Sequence, residues 1–159
     1  MEAVPIDQSH CEFIDSLLSA HFGSGRVVSL GRLHDSASLP GFVALLDGAP
    51  SGFVVYELRE RDCEIVAIAS VTKRRGVARG LVSEVRSVAR KAGCERLVLV
   101  TTNDNLAAQA FYAALGFSPV AVHKGAVTRA RRIKPEIPVL GEGGIPIEDE
   151  LEYELPAHT

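Results

Sequence analysis

Apolar positions change period several times along this chain, and each change predicts an element. The clearest case runs from Val66 to Ala92. Val66, Ile68 and Val71 belong to a β-branched strand, a tight basic loop (Lys73-Arg74-Arg75-Gly76-Val77-Ala78) follows, and then Ala78, Leu81, Val82, Val85, Val88, Ala89 and Ala92 recur at intervals of three and four. That spacing predicts a helix with one apolar stripe, and Gly93 stands where a helix C′ residue takes positive φ. Upstream, Val4–Ile6 reads as a short strand. Ser9 and Glu12 have the spacing of a capping box, opening a helix whose apolar face is Phe13, Ile14, Leu17, Leu18 and Phe22, closed by Gly23. The polar stretch Val27–Leu39 reads as a loop with a short helix or strand. Phe42–Asp47 and Phe53–Leu58 flank a hairpin signal at Gly48–Gly52, and Arg59–Asp62 is a second turn before the strand Cys63–Val71. Three strands with short polar turns predict an antiparallel meander. After the central helix come a strand at Arg96–Thr102, a helix at Leu106–Leu115 stopped by Gly116, and a strand at Pro119–His123. A short basic helix at Val127–Ile133, a loop at Pro138–Pro146 and a final alternating strand through Leu151, Tyr153 and Leu155 complete the chain.

Composition narrows the class. A length of 159 residues, with 47% apolar and 23% charged, predicts a single globular domain, 1–159, of α+β type. No apolar run reaches the length of a membrane span, and Met1–Ala20 lacks a basic start and a cleavage-like end, so the expected location is cytoplasmic. Cys11, Cys63 and Cys94 have no metal or redox spacing and read as reduced structural thiols. The five histidines show no ligand spacing either, so no metal is expected. Net charge is −3, but Lys73–Lys91 carries seven basic residues against one acid, and Glu136–Glu154 carries seven acids and no base. Overall acidity and 6% aromatic content argue against nucleic acid as a general partner. The basic segment instead suits a small polyanion, because a glycine loop feeding a helix N-terminus aims unpaired N–H groups at one point.

Gly76-x-Ala78 within the basic loop resembles the pyrophosphate loop of the GNAT superfamily of acyl-CoA N-acyltransferases, although Lys73 stands where that pattern has Gln or Arg. The stretch Asn105-Leu-Ala-Ala-Gln-Ala-Phe111-Tyr112-Ala-Ala-Leu115-Gly116-Phe117 is similar to the helix of the same superfamily with Asn, an aromatic Tyr seven residues on, and Gly-Phe. The two matches occur in the superfamily's order. The resemblance implies a mixed, mostly antiparallel sheet with helices on both faces and a splayed central strand pair, here Cys63–Val71 and Arg96–Thr102. It implies acetyl-CoA as acyl donor, with no metal, and an amine of a small molecule, amino acid or peptide as acceptor.

Carried onto this chain, the resemblance gives each residue an expected role. Backbone groups of Ile68, Ala69 and Val71 pair with the pantetheine amides, and an N–H near Ala69–Val71 meets the oxyanion. Amides of Arg74, Arg75, Gly76, Val77, Ala78 and Arg79 hold the pyrophosphate. The arginine side chains either reach the 3′-phosphate or form a solvated face. Asn105 orients the pantetheine and Tyr112 is the general acid for the leaving thiolate; Phe111 is assigned to the core. Glu64 is the candidate base, acting through water, on a face that alternation shares with Val66, Ile68 and Ser70; an ordinary sheet-edge charge is the other reading. No Ser-His or Cys-His arrangement points to a covalent intermediate. His34 and Asp35 either touch the acceptor or sit on a solvated loop. Glu148, Asp149 and Glu150 either attract a cationic acceptor or form a solvated turn. A non-catalytic acyl-CoA sensor and an acyltransferase acting on aminoacyl-tRNA are the rival functions. Exposed sheet edges leave room for a homodimer.

Overall fold

The computed structural model describes residues 1–73 and 75–158; the roles expected of Arg74 lie outside the described residues. Contacts divide the chain into two compact units, one comprising 1–27, 35–97 and 156–159, the other 28–34 and 98–155. The fold is α+β with mostly antiparallel strand pairing, as the sequence predicts.

The first unit is built on four antiparallel strands in the order β1 (Glu2–Pro5), β4 (Gly41–Leu46), β5 (Ala49–Arg59) and β6 (Asp62–Ser70). The β4–β5 turn is shorter than expected: Leu46 pairs with Ala49, leaving only Asp47 and Gly48 to turn. Both have positive φ, 51° and 78°, as a type I′ hairpin turn requires. The β5–β6 turn is Glu60-Arg61 between the paired Arg59 and Asp62. Register shifts leave Ser51 of β5 and Val66 of β6 without a partner, one bulge in each strand.

Helix α1 (Cys11–Phe22) puts Ile14, Leu17 and Leu18 against Val43, Phe53, Val55, Ala67 and Ala69. Its start differs from the expected capping box. A short 3-10 turn, Gln8–His10, precedes it, with Asp7 accepting from Ser9 N and His10 Nδ1 accepting from Asp7 N. Ser9 is used on the Asp7 side, its hydroxyl donating to Asp7 Oδ1. Helix α2 (Val77–Lys91) buries Val77, Leu81, Val82, Val85 and Ala89. It packs on the other face of the sheet, since Gly52 alternates with Phe53 and a Cβ there would lie 2.8 Å from Val77 Cγ1. Its end is a Schellman motif: Cys94 N–H bonds Ala89 O and Gly93 N–H bonds Arg90 O. Arg86 and Arg90 donate through Nε to Pro156 O and Ala157 O, pinning the chain end beside this helix.

The segment expected as a loop with a short helix or strand at Val27–Leu39 holds two strands, β2 (Arg26–Ser29) and β3 (Arg32–Asp35), paired as a hairpin turned by Leu30 and Gly31 at positive φ, and then the 3-10 turn Ser36–Ser38. The second unit continues with β7 (Arg96–Thr102, entering this unit at Val98), α3 (Leu106–Ala114), β8 (Ser118–His123), α4 (Ala126–Ala130) and β9 (Glu150–Pro156). Its strands run in the order β7, β9, β8, with β8 and β9 antiparallel. The long connection before β9 is a fixed strap. Asn103 Oδ1 accepts from Glu148 N and Asp149 N while its Nδ2 donates to Pro146 O. Arg131 donates to the carbonyls of Ile137, Pro138 and Ile147. Asp104 accepts from Thr102 Oγ1 and Glu142 N, and a Cβ on Gly141 would collide with its carboxylate. The acidic segment is therefore only partly solvated: Glu148 is exposed, Asp149 accepts from Gly125 N, and Glu150 is buried in β9.

Candidate active site

Gly76 is the N-cap of α2 at φ 74°, with no side chain to cap the helix. Gly80 N–H makes the first intrahelical bond, to Gly76 O at 2.9 Å. The amides of Val77 and Ala78 precede it and have no intrahelical acceptor. The first turn holds no acid, and Lys73, Arg75 and Arg79 are exposed around it. The result is a positive helix end flanked by cations, chemically suited to phosphate oxygens. Ser70 shapes the entry to this loop. Its Oγ accepts from Thr72 N, donates to Thr72 O at 2.7 Å and lies 3.3 Å from Ser51 O.

The strand before the loop changes one expectation. Val71 N–H donates to Ser51 O at 2.9 Å, so that amide is occupied and is not a donor for a ligand. Alternation turns Ala69 the same way, toward β5, and turns the backbone groups of Ile68 and Ser70 away from β5. Ile68 and Ser70, not Ala69 and Val71, thus carry the amides aimed off the β5 side. That orientation was not foreseen, because the Val71 bond depends on Ser51, a bulge the sequence does not announce.

Glu64 also stands differently from its expected place. It pairs directly with Glu57, and Ala67 pairs with Val55. The bulge at Val66 resets the alternation, so Glu64 shares a face with Ala67 and not with Ile68 and Ser70. Its side chain is fully buried, and Oε1 accepts from Arg59 Nη1 at 2.6 Å. The same guanidinium nitrogen lies 3.7 Å from Glu57 Oε2.

Tyr112 projects from α3 into an aromatic group, with ring centroids 5.6 Å from Phe111, 6.3 Å from Phe117 and 6.1 Å from Tyr153. Burial pushes its phenol up to about 12, and no described residue hydrogen-bonds the hydroxyl. It is a proton donor at every physiological pH. Phe111, expected in the core, is 42% exposed, because α3 presents that side to solvent. Asn105 precedes the helix as its N-cap, with φ −85° and ψ 72°, so it does not share a helical face with Tyr112. Its Oδ1 accepts from Ala108 N at 3.1 Å, leaving the Nδ2 group as its donor.

One pairing was not foreseen. Ser29 Oγ and His34 Nε2 are 3.2 Å apart across the β2–β3 hairpin, with Ser29 and His34 only 2% and 4% exposed. Neither belongs to a solvated loop, and at that burial the pair joins two strands rather than presenting a nucleophile. Asp35 caps the 3-10 turn Ser36–Ser38 through Ala37 N. Burial raises the Cys63 thiol to about 12 and raises Cys94 as well, which makes both inert. Cys11 is exposed.

A glycine-capped helix behind a three-stranded meander, followed by a tyrosine-bearing helix, defines a class, and the sequence pattern of the Acetyltransferase (GNAT) family matches residues 10–117. The chain belongs to that family. The uncharacterized protein YdhI of Bacillus subtilis (strain 168) is 34% identical over 152 residues, covering 95% of each chain. Among solved structures, the fold is similar to a Bacillus subtilis acetyltransferase in complex with CoA, with TM-score 0.68 and 17% identity over 98% of this chain and 97% of that one. It is also similar to the ribosomal-protein-S18-alanine N-acetyltransferase of Escherichia coli, with TM-score 0.67 and 15% identity over 99% and 94%. Among the described residues, no helix is long and apolar enough to cross a membrane.

Proposed function

We propose that this protein is a cytoplasmic N-acetyltransferase that moves the acetyl group of acetyl-CoA to a primary amine of a small molecule, amino acid or peptide, by direct attack in a ternary complex. The observation that carries the reading is the α2 N-terminus: a positive-φ glycine cap, no acid in the first turn, and exposed cations beside it, in a chain of this family. The CoA held by a structural neighbour supports the donor, and the alanine N-acetylation named for another supports an amine acceptor. Amides of Val77 and Ala78 hold the pyrophosphate, with Arg75 and Arg79 beside it, and the backbone of Ile68 and Ser70 pairs with the pantetheine.

The amine lone pair forms the C–N bond at the thioester carbonyl, and the C–S bond breaks. Tyr112 is the residue that the family resemblance assigns to the departing sulfur. A phenol near 12 is a weaker acid than a thiol of about 8.5, so full transfer to the thiolate runs uphill. Tyr112 therefore acts chiefly as a hydrogen-bond donor to the developing charge. Hydrogen bonds to charged groups contribute about 1.5–3 kcal/mol, so Tyr112→Phe is expected to lower kcat about 10- to 100-fold with unchanged coenzyme A affinity. Calorimetry with coenzyme A, then thiol release from acetyl-CoA over an amine panel, tests this. No coenzyme binding sinks the whole reading; binding without turnover on any amine converts it to an acyl-CoA sensor.

A further inference from the structure

We propose that α3 and β8 form a surface on which a second copy of this chain docks about a twofold axis, Leu106 of each copy entering an apolar groove of the other. The proposal is independent of the acetyl-transfer reading. It starts from a mismatch in α3, whose sequence from Leu106 to Ala114 holds no charge. A helix apolar on every side belongs in a protein interior. Yet no residue of α3 is buried, and Leu106, Ala107, Ala110, Phe111 and Ala113 are exposed.

The strand beside it continues the surface. Val122 pairs with Leu151 of β9, and Tyr153, on the same face as Leu151, packs on Tyr112 of α3 with ring centroids 6.1 Å apart. Val122 therefore lies on the side of these strands that α3 covers. A groove of about 540 Å³ runs there, with Gln109 on one bank and Pro119, Val120 and Val122 on the other. Val120 and Val122 are 44% and 57% exposed. Leu106 and Ala113 stand at helical spacing from Gln109 and share its flank. An exposed leucine, at 60%, thus stands next to a hollow lined mostly by apolar side chains.

A protruding apolar side chain and an apolar hollow on one patch satisfy each other when the patch meets its own copy, as an isologous contact requires. Charge does not oppose this. From Asn105 to Val122 the chain has no Asp, Glu, Lys or Arg, so two copies meet without repulsion. An anionic lipid surface or a nucleic acid finds no cation there. The exposed parts of Leu106, the three alanines, Pro119, Val120 and Val122 amount to roughly 500 Å² per copy, so a pair buries about 1,000 Å², the lower bound for a specific interface. A weak, reversible dimer follows. Pro119 and the bulge at Val120 interrupt the β8 edge, so the contact runs side chain to side chain and not as a continued sheet.

The area predicts a dissociation constant of about 10–100 μM, and sedimentation equilibrium with the full chain across that range should show monomer and dimer in exchange. Leu106→Asp and Val122→Glu each set two like charges against one another, one from each copy, and should weaken the dimer about 10-fold or more. Both positions are exposed, so Tm should not move. Leu58→Asp, at an exposed leucine of β5, should leave the equilibrium unchanged within about twofold. Amide hydrogen exchange should slow with concentration chiefly in α3 and β8. A chain that stays monomeric throughout overturns the proposal, as does a dimer that Leu106→Asp and Val122→Glu both leave intact. A loss under Leu58→Asp equal to theirs would mark general apolar association and overturn it too.

Discussion

At the scale of single residues, burial sets the chemistry more than residue type does. Cys63 and Tyr112 share one environment effect: desolvation disfavours the charged form, raising both to about 12. The consequence for stability has a definite sign. In the unfolded chain the thiol ionises near 9, while the folded protein keeps its proton until near 12. Between those values the folded state binds more protons, so stability falls as pH rises, by at most about 1.4 kcal/mol per pH unit for each such group. Below pH 9 the Cys63 contribution is flat. Tm measured from pH 8 to 11 should decline above 9, and Cys63→Ala should decline less steeply even though its Tm starts lower. Parallel slopes for the two proteins would refute the Cys63 contribution. Neither shift was legible in the sequence as a magnitude. Cys63 was legible as inert because it opens an apolar run, whereas the burial of Glu64 against Arg59 Nη1 at 2.6 Å depends on a contact that no local pattern announces.

At the scale of elements, periodicity and glycine punctuation carried most of the fold. The α2 stripe, its Gly93 stop, the meander and the alternating last strand were all readable, since each is a local pattern repeated over several residues. What escaped was set by register and tertiary contact: the bulges at Ser51 and Val66, the β2–β3 hairpin within a polar stretch, and the Asp7–His10 cap that displaced the Ser9–Glu12 spacing. The strap before β9 belongs to this second group. It read as a glycine-rich loop, yet Asn103, Asp104 and Arg131 tie it at several points. Gly141 lies against Asp104 too closely for any side chain. Gly141→Ala is therefore expected to destabilise by about 1–3 kcal/mol. Combined with Asp104→Ala, it should cost less than the sum of the two single changes. Additive losses in urea denaturation would show that the two do not meet.

For the whole molecule, charge is divided along the chain rather than balanced. Basic residues gather around the start of α2, and acids gather along the strap and β9. That division is readable in the sequence, and at the start of α2 it suits an anionic ligand. Gly76 as the cap of α2 and Tyr112 as a residue of α3 were legible, because each sits in a motif with a local structural cause. The face that Glu64 takes and the direction of the Ser70 amide were not, since both depend on strands shifting past one another. The hairpin turned by Asp47 and Gly48 joins strands that need only short chain closure, whereas β1 reaches β4 across some thirty-five residues. Local closure is entropically the least costly, so the folding transition state should already contain the β4–β5 turn while β9 remains unzipped. Gly48→Ala strains a φ of 78° at a cost of about 1 kcal/mol. In stopped-flow experiments it should slow refolding roughly fivefold and leave unfolding almost untouched, whereas Leu151→Ala in β9 should mainly hasten unfolding.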